Sequence, residues 1–259
     1  MYKKISEYIP YQSISFNLLV NEDFKEYPFL SGTGFFVHFP PYDYIFYITA
    51  KHCFTDMSNS DIDILETLKL PYELNDNTKP TNQAIQFSEI LFGQDKNDDE
   101  YEDIVVFVVD NNKISKEKVD LLKKRALKLS HQDVIKYILK TLCKNNENIR
   151  TVGFPTNSKK LDYDTNLLTI EARGYYGKIK DNSSFRERYG FEEASWKDNA
   201  YNGFSGSPVL ALIPNGKGYD VDVVVIGILL TATSNRGEFL SINFATNLIA
   251  NYINANKTE

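Results

Sequence analysis

Three polar side chains in this chain have the types and settings to act together as one reagent. Ser205 lies in Asn202-Gly203-Phe204-Ser205-Gly206-Ser207-Pro208, His52 in Ile48-Thr49-Ala50-Lys51-His52-Cys53, and Asp103 directly before Ile104-Val105-Val106-Phe107. A serine hydroxyl is a poor nucleophile at neutral pH. It becomes reactive when an imidazole takes its proton and a carboxylate orients that imidazole. The chemistry on offer is therefore acyl transfer, with Ser205 attacking a carbonyl and His52 serving as base and then as the acid that protonates the leaving group. Each residue also has a plainer reading. Ser205 shares a glycine-rich turn with Ser207, and either hydroxyl could simply satisfy backbone groups. Of the other two histidines, His38 sits in an aromatic strand-like run and His131 beside Gln132 and Asp133 in a helical stretch, where a packing or capping role is the simpler one. Asp103 closes an acidic run of Asp95, Asp98, Asp99, Glu100 and Glu102, and the apolar strand that follows is what sets it apart. A calcium loop at Asp95-x-Asn97-x-Asp99 would need glycine where Glu100 stands. No histidines are spaced as a ligand pair, so neither metal nor other cofactor is expected.

The elements that must position these groups are mostly strands. Runs rich in β-branched and aromatic residues at Ile14 to Val20, Gly34 to Phe39, Tyr44 to Thr49, Ile85 to Phe92 and Ile104 to Val109 alternate with turn-formers. Residues 56 to 83 read as a long loop with a short helical turn near Ile64 to Leu68. From Ser115 to Lys144 the spacing changes to helical, with Val134, Ile135, Ile138, Leu139 and Leu142 three and four apart. Strands are expected again at Leu167 to Ala172, Pro208 to Ile213, Val221 to Leu230 and Glu238 to Ile242. Phe244, Leu248, Ile249, Tyr252 and Ile253 then mark an amphipathic helix.

At 259 residues, 42% hydrophobic, the chain can bury a large core, and all-β chains of this length often form one unit of two barrels. A net charge of −6 and a pI near 5.3 argue against nucleic acid as a partner, since that needs a basic face. The basic start Met1-Tyr2-Lys3-Lys4 is followed by a stretch broken by Glu7, Pro10, Gln12, Ser13 and Asn17, which is no export signal, and no run is long enough to span a bilayer. The expectation is a soluble cytoplasmic protein without a membrane partner. Two cysteines, Cys53 and Cys143, in separate segments fit free thiols in a reducing compartment.

Taken together, Thr49-Ala50-Lys51-His52-Cys53, the Asp103 strand and Gly203-Phe204-Ser205-Gly206-Ser207-Pro208 resemble the chymotrypsin-like (trypsin-fold) serine peptidases, particularly their bacterial and intracellular branch. The order histidine, aspartate, serine is that family's, with 51 residues from His52 to Asp103 and 102 from Asp103 to Ser205. Ser31-Gly32-Thr33-Gly34-Phe35 and Thr151-Val152-Gly153-Phe154-Pro155 are similar to further strand motifs of the family. The resemblance implies an all-β fold of two six-stranded antiparallel barrels in one peptidase domain over 1–259. A first barrel over about 12–110, a helical connector over 111–147, a second barrel over 148–243 and a C-terminal helix over 244–254 would make it up. It implies His52, Asp103 and Ser205 as the catalytic triad, with the backbone N–H groups of Gly203 and Ser205 as the oxyanion hole. It also implies a primary specificity pocket walled near Thr231, Ala232 and Gly237, with its floor near Asn199. No carboxylate stands there, so a demand for Arg or Lys in the substrate is not expected.

Phe204 stands where zymogen-derived relatives carry the aspartate that pairs with a newly cut N-terminus, so activation by N-terminal cleavage is not expected. The implied function is an intracellular serine endopeptidase acting on a protein or peptide, open to control by a regulatory protein partner. The alternative is a catalytically silent peptide-binding module on the same fold. An α/β-hydrolase is excluded, because that fold places its histidine after the serine and none follows Ser205 here.

Overall fold

Apolar residues on both faces of a strand place it at the centre of a sheet, and two strands of the first half have that character. The computed structural model describes residues 11–20, 29–54, 64–65, 67–70, 84–94, 101–158, 160–162, 167–182, 187–196, 201–214 and 221–256. Its first sheet is built from β1 (Ile14–Leu19), β2 (Phe29–His38), β3 (Ile45–Thr49), β4 (Leu68–Lys69), β5 (Phe87–Gln94) and β6 (Tyr101–Val109). Every residue of β3 is buried, as is β6 from Ile104 onward, and these two strands pair antiparallel inside the order β4-β1-β2-β3-β6-β5, neither at its edge. The two ends of that path meet: the N–H of Ile85, just before β5, donates to the carbonyl of Leu70, just after β4, at 2.9 Å. The register sets Thr49 opposite Val105, so the chain leaving β3 starts its turn beside Ile104 and Asp103.

The second half closes fully. Strands β8 (Asn148–Gly153), β11 (Arg173–Asp181), β12 (Arg188–Glu192), β13 (Pro208–Pro214), β14 (Val221–Ala232) and β15 (Gly237–Ser241) form a closed barrel in the order β11-β12-β15-β14-β13-β8. The small hairpin of β9 (Lys160–Asp162) and β10 (Leu167–Thr169) stands outside it. The protein is therefore mostly β, but its first barrel is a half-barrel whose sheet counts seven strands with β7 (Leu127–Lys128), and only the second is a closed six-stranded antiparallel barrel.

Several local expectations change. The helical stretch is two helices, α1 (Lys116–Arg125) and α2 (Gln132–Asn145), because Leu127–Lys128 (β7) leaves the helix to pair in parallel with β2 at Val37 and His38. Within the expected loop of 56–83, residues 56–63, 66 and 71–83 lie outside the description, and Leu68–Lys69 is a strand edge on β1 rather than the end of a helical turn. The run expected as a strand over Leu167 to Ala172 ends at Thr169, and the barrel strand proper is β11. The last helix, α3 (Ile242–Ala255), is capped by the Ser241 hydroxyl, which accepts from the N–H of Asn243. It packs on both halves: Tyr252 sets its ring edge-on to Tyr44 and Phe46 of the first barrel, while Ile249 and Ile253 are buried. None of the described helices is long and apolar enough to cross a membrane.

Candidate active site

The turn after β3 is a one-turn 3-10 helix over Lys51–Phe54, and it points His52 outward while burying Cys53 and Phe54. Asp103 holds this turn with both carboxylate oxygens. Oδ1 accepts the backbone N–H of His52 at 2.8 Å, and Oδ2 lies 2.6 Å from His52 Nδ1. Charge-assisted bonds this short fix the ring's orientation and put its proton on Nδ1, which leaves Nε2 as the basic nitrogen. The bond to Asp103 and that residue's charge raise the His52 pKa above the ordinary histidine value, against a smaller opposing effect of burial. Asp103 lies inside β6 rather than immediately ahead of it, so the ladder itself anchors the carboxylate.

Ser205 reaches the same place from the second barrel. Its turn continues the β13–β14 ladder through two backbone bonds, Gly206 N–H to the Leu229 carbonyl at 2.7 Å and Leu229 N–H to the Ser207 carbonyl at 2.9 Å. It is pinned to the first barrel by the Thr33 N–H, which donates to the Ser205 carbonyl at 2.8 Å. The Cys53 thiol also approaches that carbonyl, at 3.9 Å. The residue beside His52 and the serine turn are thus in direct contact. Gly206, at φ +84°, leaves no room for a side chain, because a Cβ there would lie 2.1 Å from the Thr33 carbonyl and 2.3 Å from Thr49 Oγ1. Ser207, the rival hydroxyl, is fully buried against Gly153, whereas Ser205 is only half-buried. The Ser205 hydroxyl donates to the Leu230 carbonyl at 3.3 Å, one residue short of Thr231.

Gly203 takes φ +93°, and a Cβ on it would meet the Phe154 carbonyl at 2.5 Å. Thr33 Oγ1 donates to the Gly203 carbonyl at 2.8 Å and accepts the Phe154 N–H at 2.9 Å, which locks that peptide in place. Among the described residues the backbone N–H groups of Gly203 and Ser205 have no protein acceptor. Two such donors on one tight turn are what an oxyanion needs.

Sequence reasoning missed the supports. Asn17 donates to the Ser31 carbonyl at 2.7 Å and to Thr49 Oγ1 at 3.0 Å, and accepts from the Tyr47 hydroxyl at 2.7 Å, while Thr49 Oγ1 donates to the Thr33 carbonyl at 2.7 Å. The Ser31 hydroxyl donates to the Cys53 carbonyl. This buried network ties β1, β2 and β3 to the His52 turn, and its one signal in the sequence is the polar Asn17 inside an apolar strand. The Cys53 thiol is free, and burial together with the Asp103 charge pushes its pKa up to about 12, so it stays neutral and inert; Cys143 is free as well.

Of the expected pocket residues, Thr231 and Ala232 pair with Glu238 and Gly237 across β14 and β15, and Thr231 follows Leu230, whose carbonyl accepts the Ser205 hydroxyl. Asn199 lies outside the described residues. His38 and His131 have other engagements: His38 Nε2 lies 2.7 Å from the Tyr42 carbonyl, and the His131 ring packs edge-on against Phe39.

No protein-family model and no curated protein matches the sequence. Among solved structures, the crystal structure of the thermostable serine protease AL20 from an extremophilic microorganism superposes with a TM-score of 0.51 at 13% identity, covering 95% of this chain and 99% of that one. At that identity the likeness is one of fold: this chain has the architecture of a chymotrypsin-like serine protease.

Proposed function

We propose that the protein is a serine endopeptidase that cleaves peptide bonds through an acyl-enzyme, with Ser205 as nucleophile, His52 as general base and Asp103 as the carboxylate that orients it. The observation that carries this reading is the double grip of Asp103 on His52, at 2.8 and 2.6 Å, beside a serine turn with two N–H groups that meet no acceptor among the described residues. Attack would transfer the Ser205 proton to His52 Nε2, the carbonyl oxygen would accept from Gly203 and Ser205 N–H, and the imidazolium would then protonate the departing amine. Water would repeat the sequence to release the acid. Thr231, Ala232, Gly237 and Asn199 would shape a pocket for a neutral side chain. Phe204, fully buried between Tyr175 and Trp196, leaves no polar receptor for an arriving N-terminal ammonium, so folding alone would assemble the site. The unpaired Cys53 is compatible with action inside the cell.

One observation favours the second reading, a silent peptide-binding module: the Ser205 hydroxyl donates to Leu230. For catalysis the hydroxyl would have to leave Leu230 for His52, and such bonds often form or tighten only on substrate binding. Incubation with a peptide library, read by mass spectrometry, separates the two. Cleavage after neutral residues that disappears in Ser205→Ala supports the peptidase, and retention of intact peptides by wild type and variant alike supports the module.

A further inference from the structure

Neighbouring side chains on a strand point to opposite faces, and β6 uses this at its start: Asp103 turns to His52 while Glu102 turns to the second barrel. There it meets Arg188, on β12. The guanidinium forks, with one nitrogen 3.0 Å from Glu102 Oε2 and the other 2.9 Å from Glu238 Oε1 on β15. Asn182 Nδ2 donates to the second Glu238 oxygen at 3.3 Å, which steadies that arm of the fork. Glu102 and Arg188 keep 18% and 29% of their side-chain exposure, so the pair is shielded enough for its geometry to matter.

We infer that Arg188 is a positioning residue for the reaction, clamping the strand that carries Asp103 to the barrel that carries Ser205 through Glu102 and Glu238. This deepens the peptidase reading and rests on it. The three candidate groups come from two barrels, so their alignment depends on how the barrels are held. The Thr33 bonds fix the serine turn to β2, but β6 reaches the second barrel at its Asp103 end through Glu102. A planar fork sets both distance and angle between two carboxylates, which a lysine's single ammonium does not. Glu238 also pairs across the ladder with Thr231, so the same guanidinium touches the strand pair that walls the pocket.

The test uses the full chain with Arg188→Ala, Arg188→Lys, Glu102→Gln and the double variant Arg188→Ala/Glu102→Gln. Two readouts are taken: kcat and KM on a cleaved peptide, and the low-field proton NMR signal of His52 Nδ1–H, which reports its bond to Asp103 without turnover. Arg188→Ala is expected to lower kcat roughly ten- to hundredfold with KM within about twofold, since misplacement away from the reacting atoms acts on the transition state. It should also shift or broaden the proton signal. Arg188→Lys recovers only part of kcat, Glu102→Gln moves both readouts in the same direction but less, and the double variant is no worse than Arg188→Ala. A folded Arg188→Ala with kcat within about twofold of wild type and an unmoved proton overturns the inference. If Arg188→Ala does not fold, the isosteric Glu102→Gln carries the same test. A wild type that cleaves no peptide overturns the peptidase reading instead, and the proton signal alone then decides this one.

Discussion

Asp103 grips His52 at its main chain and at its ring, so the imidazole can neither tilt nor exchange tautomers without breaking a short bond. The raised His52 pKa has a direct kinetic sign. In the proposed reaction the base is the neutral ring, which forms as pH rises through a value above that of an ordinary histidine, so the acid limb of kcat/KM should lie above about 6.5. Asp103→Asn removes the charge that favours the imidazolium and lets the ring adopt the unproductive tautomer. The limb should then move to lower pH while kcat falls by roughly 10³–10⁴. Profiles of kcat/KM against pH for both proteins check this, and a limb that stays in place in the variant contradicts it.

At the scale of elements, the Gly203–Pro208 turn is built on an aromatic base. Phe204 is fully buried, with ring centroids 5.4 Å from Tyr175 and 5.3 Å from Trp196. Phe204→Asp would put an unpaired carboxylate into that cluster and should cost roughly 3–5 kcal/mol, a fall in Tm of about 10 °C. Calorimetry decides, and an unchanged Tm would mean that the aspartate finds a cation there, restoring a zymogen-like switch. The same cluster explains what the sequence concealed. Strands β11 and β12 carried no expectation from the sequence beyond lying in the second barrel, yet Tyr175, Gly177 and Ile179 face inward while Tyr176 and Lys180 face solvent, a period of two diluted by Gly174, Gly177 and the lysines. Strand β7 was hidden for another reason. Two residues between helices carry no periodicity of their own, and only β2 beside them makes Leu127–Lys128 a strand.

Across the whole molecule, the candidate chemistry was legible because each candidate residue sits in a local motif: His52 just after β3, Asp103 near the start of β6, Ser205 in the turn that holds Gly203 and Gly206. The supports were not, because they exist only as contacts between distant segments. Thr33 reaches Gly203 over 170 positions and Arg188 reaches Glu102 over 86; the motif around Thr33 marks a strand but not this contact, and nothing beside Arg188 announces its role. The closure of the second barrel likewise followed from pairing β8 with both β11 and β13, which no local pattern states. The proposed chemistry converges on one hydroxyl, that of Ser205, which the two barrels together would make reactive. The most direct measurement is intact-protein and peptide mass spectrometry after exposure to a fluorophosphonate, which reacts with an activated serine. The account predicts one adduct, on Ser205, lost in Ser205→Ala and strongly slowed in His52→Ala. An unlabelled wild-type protein, or an adduct on another residue, would contradict it.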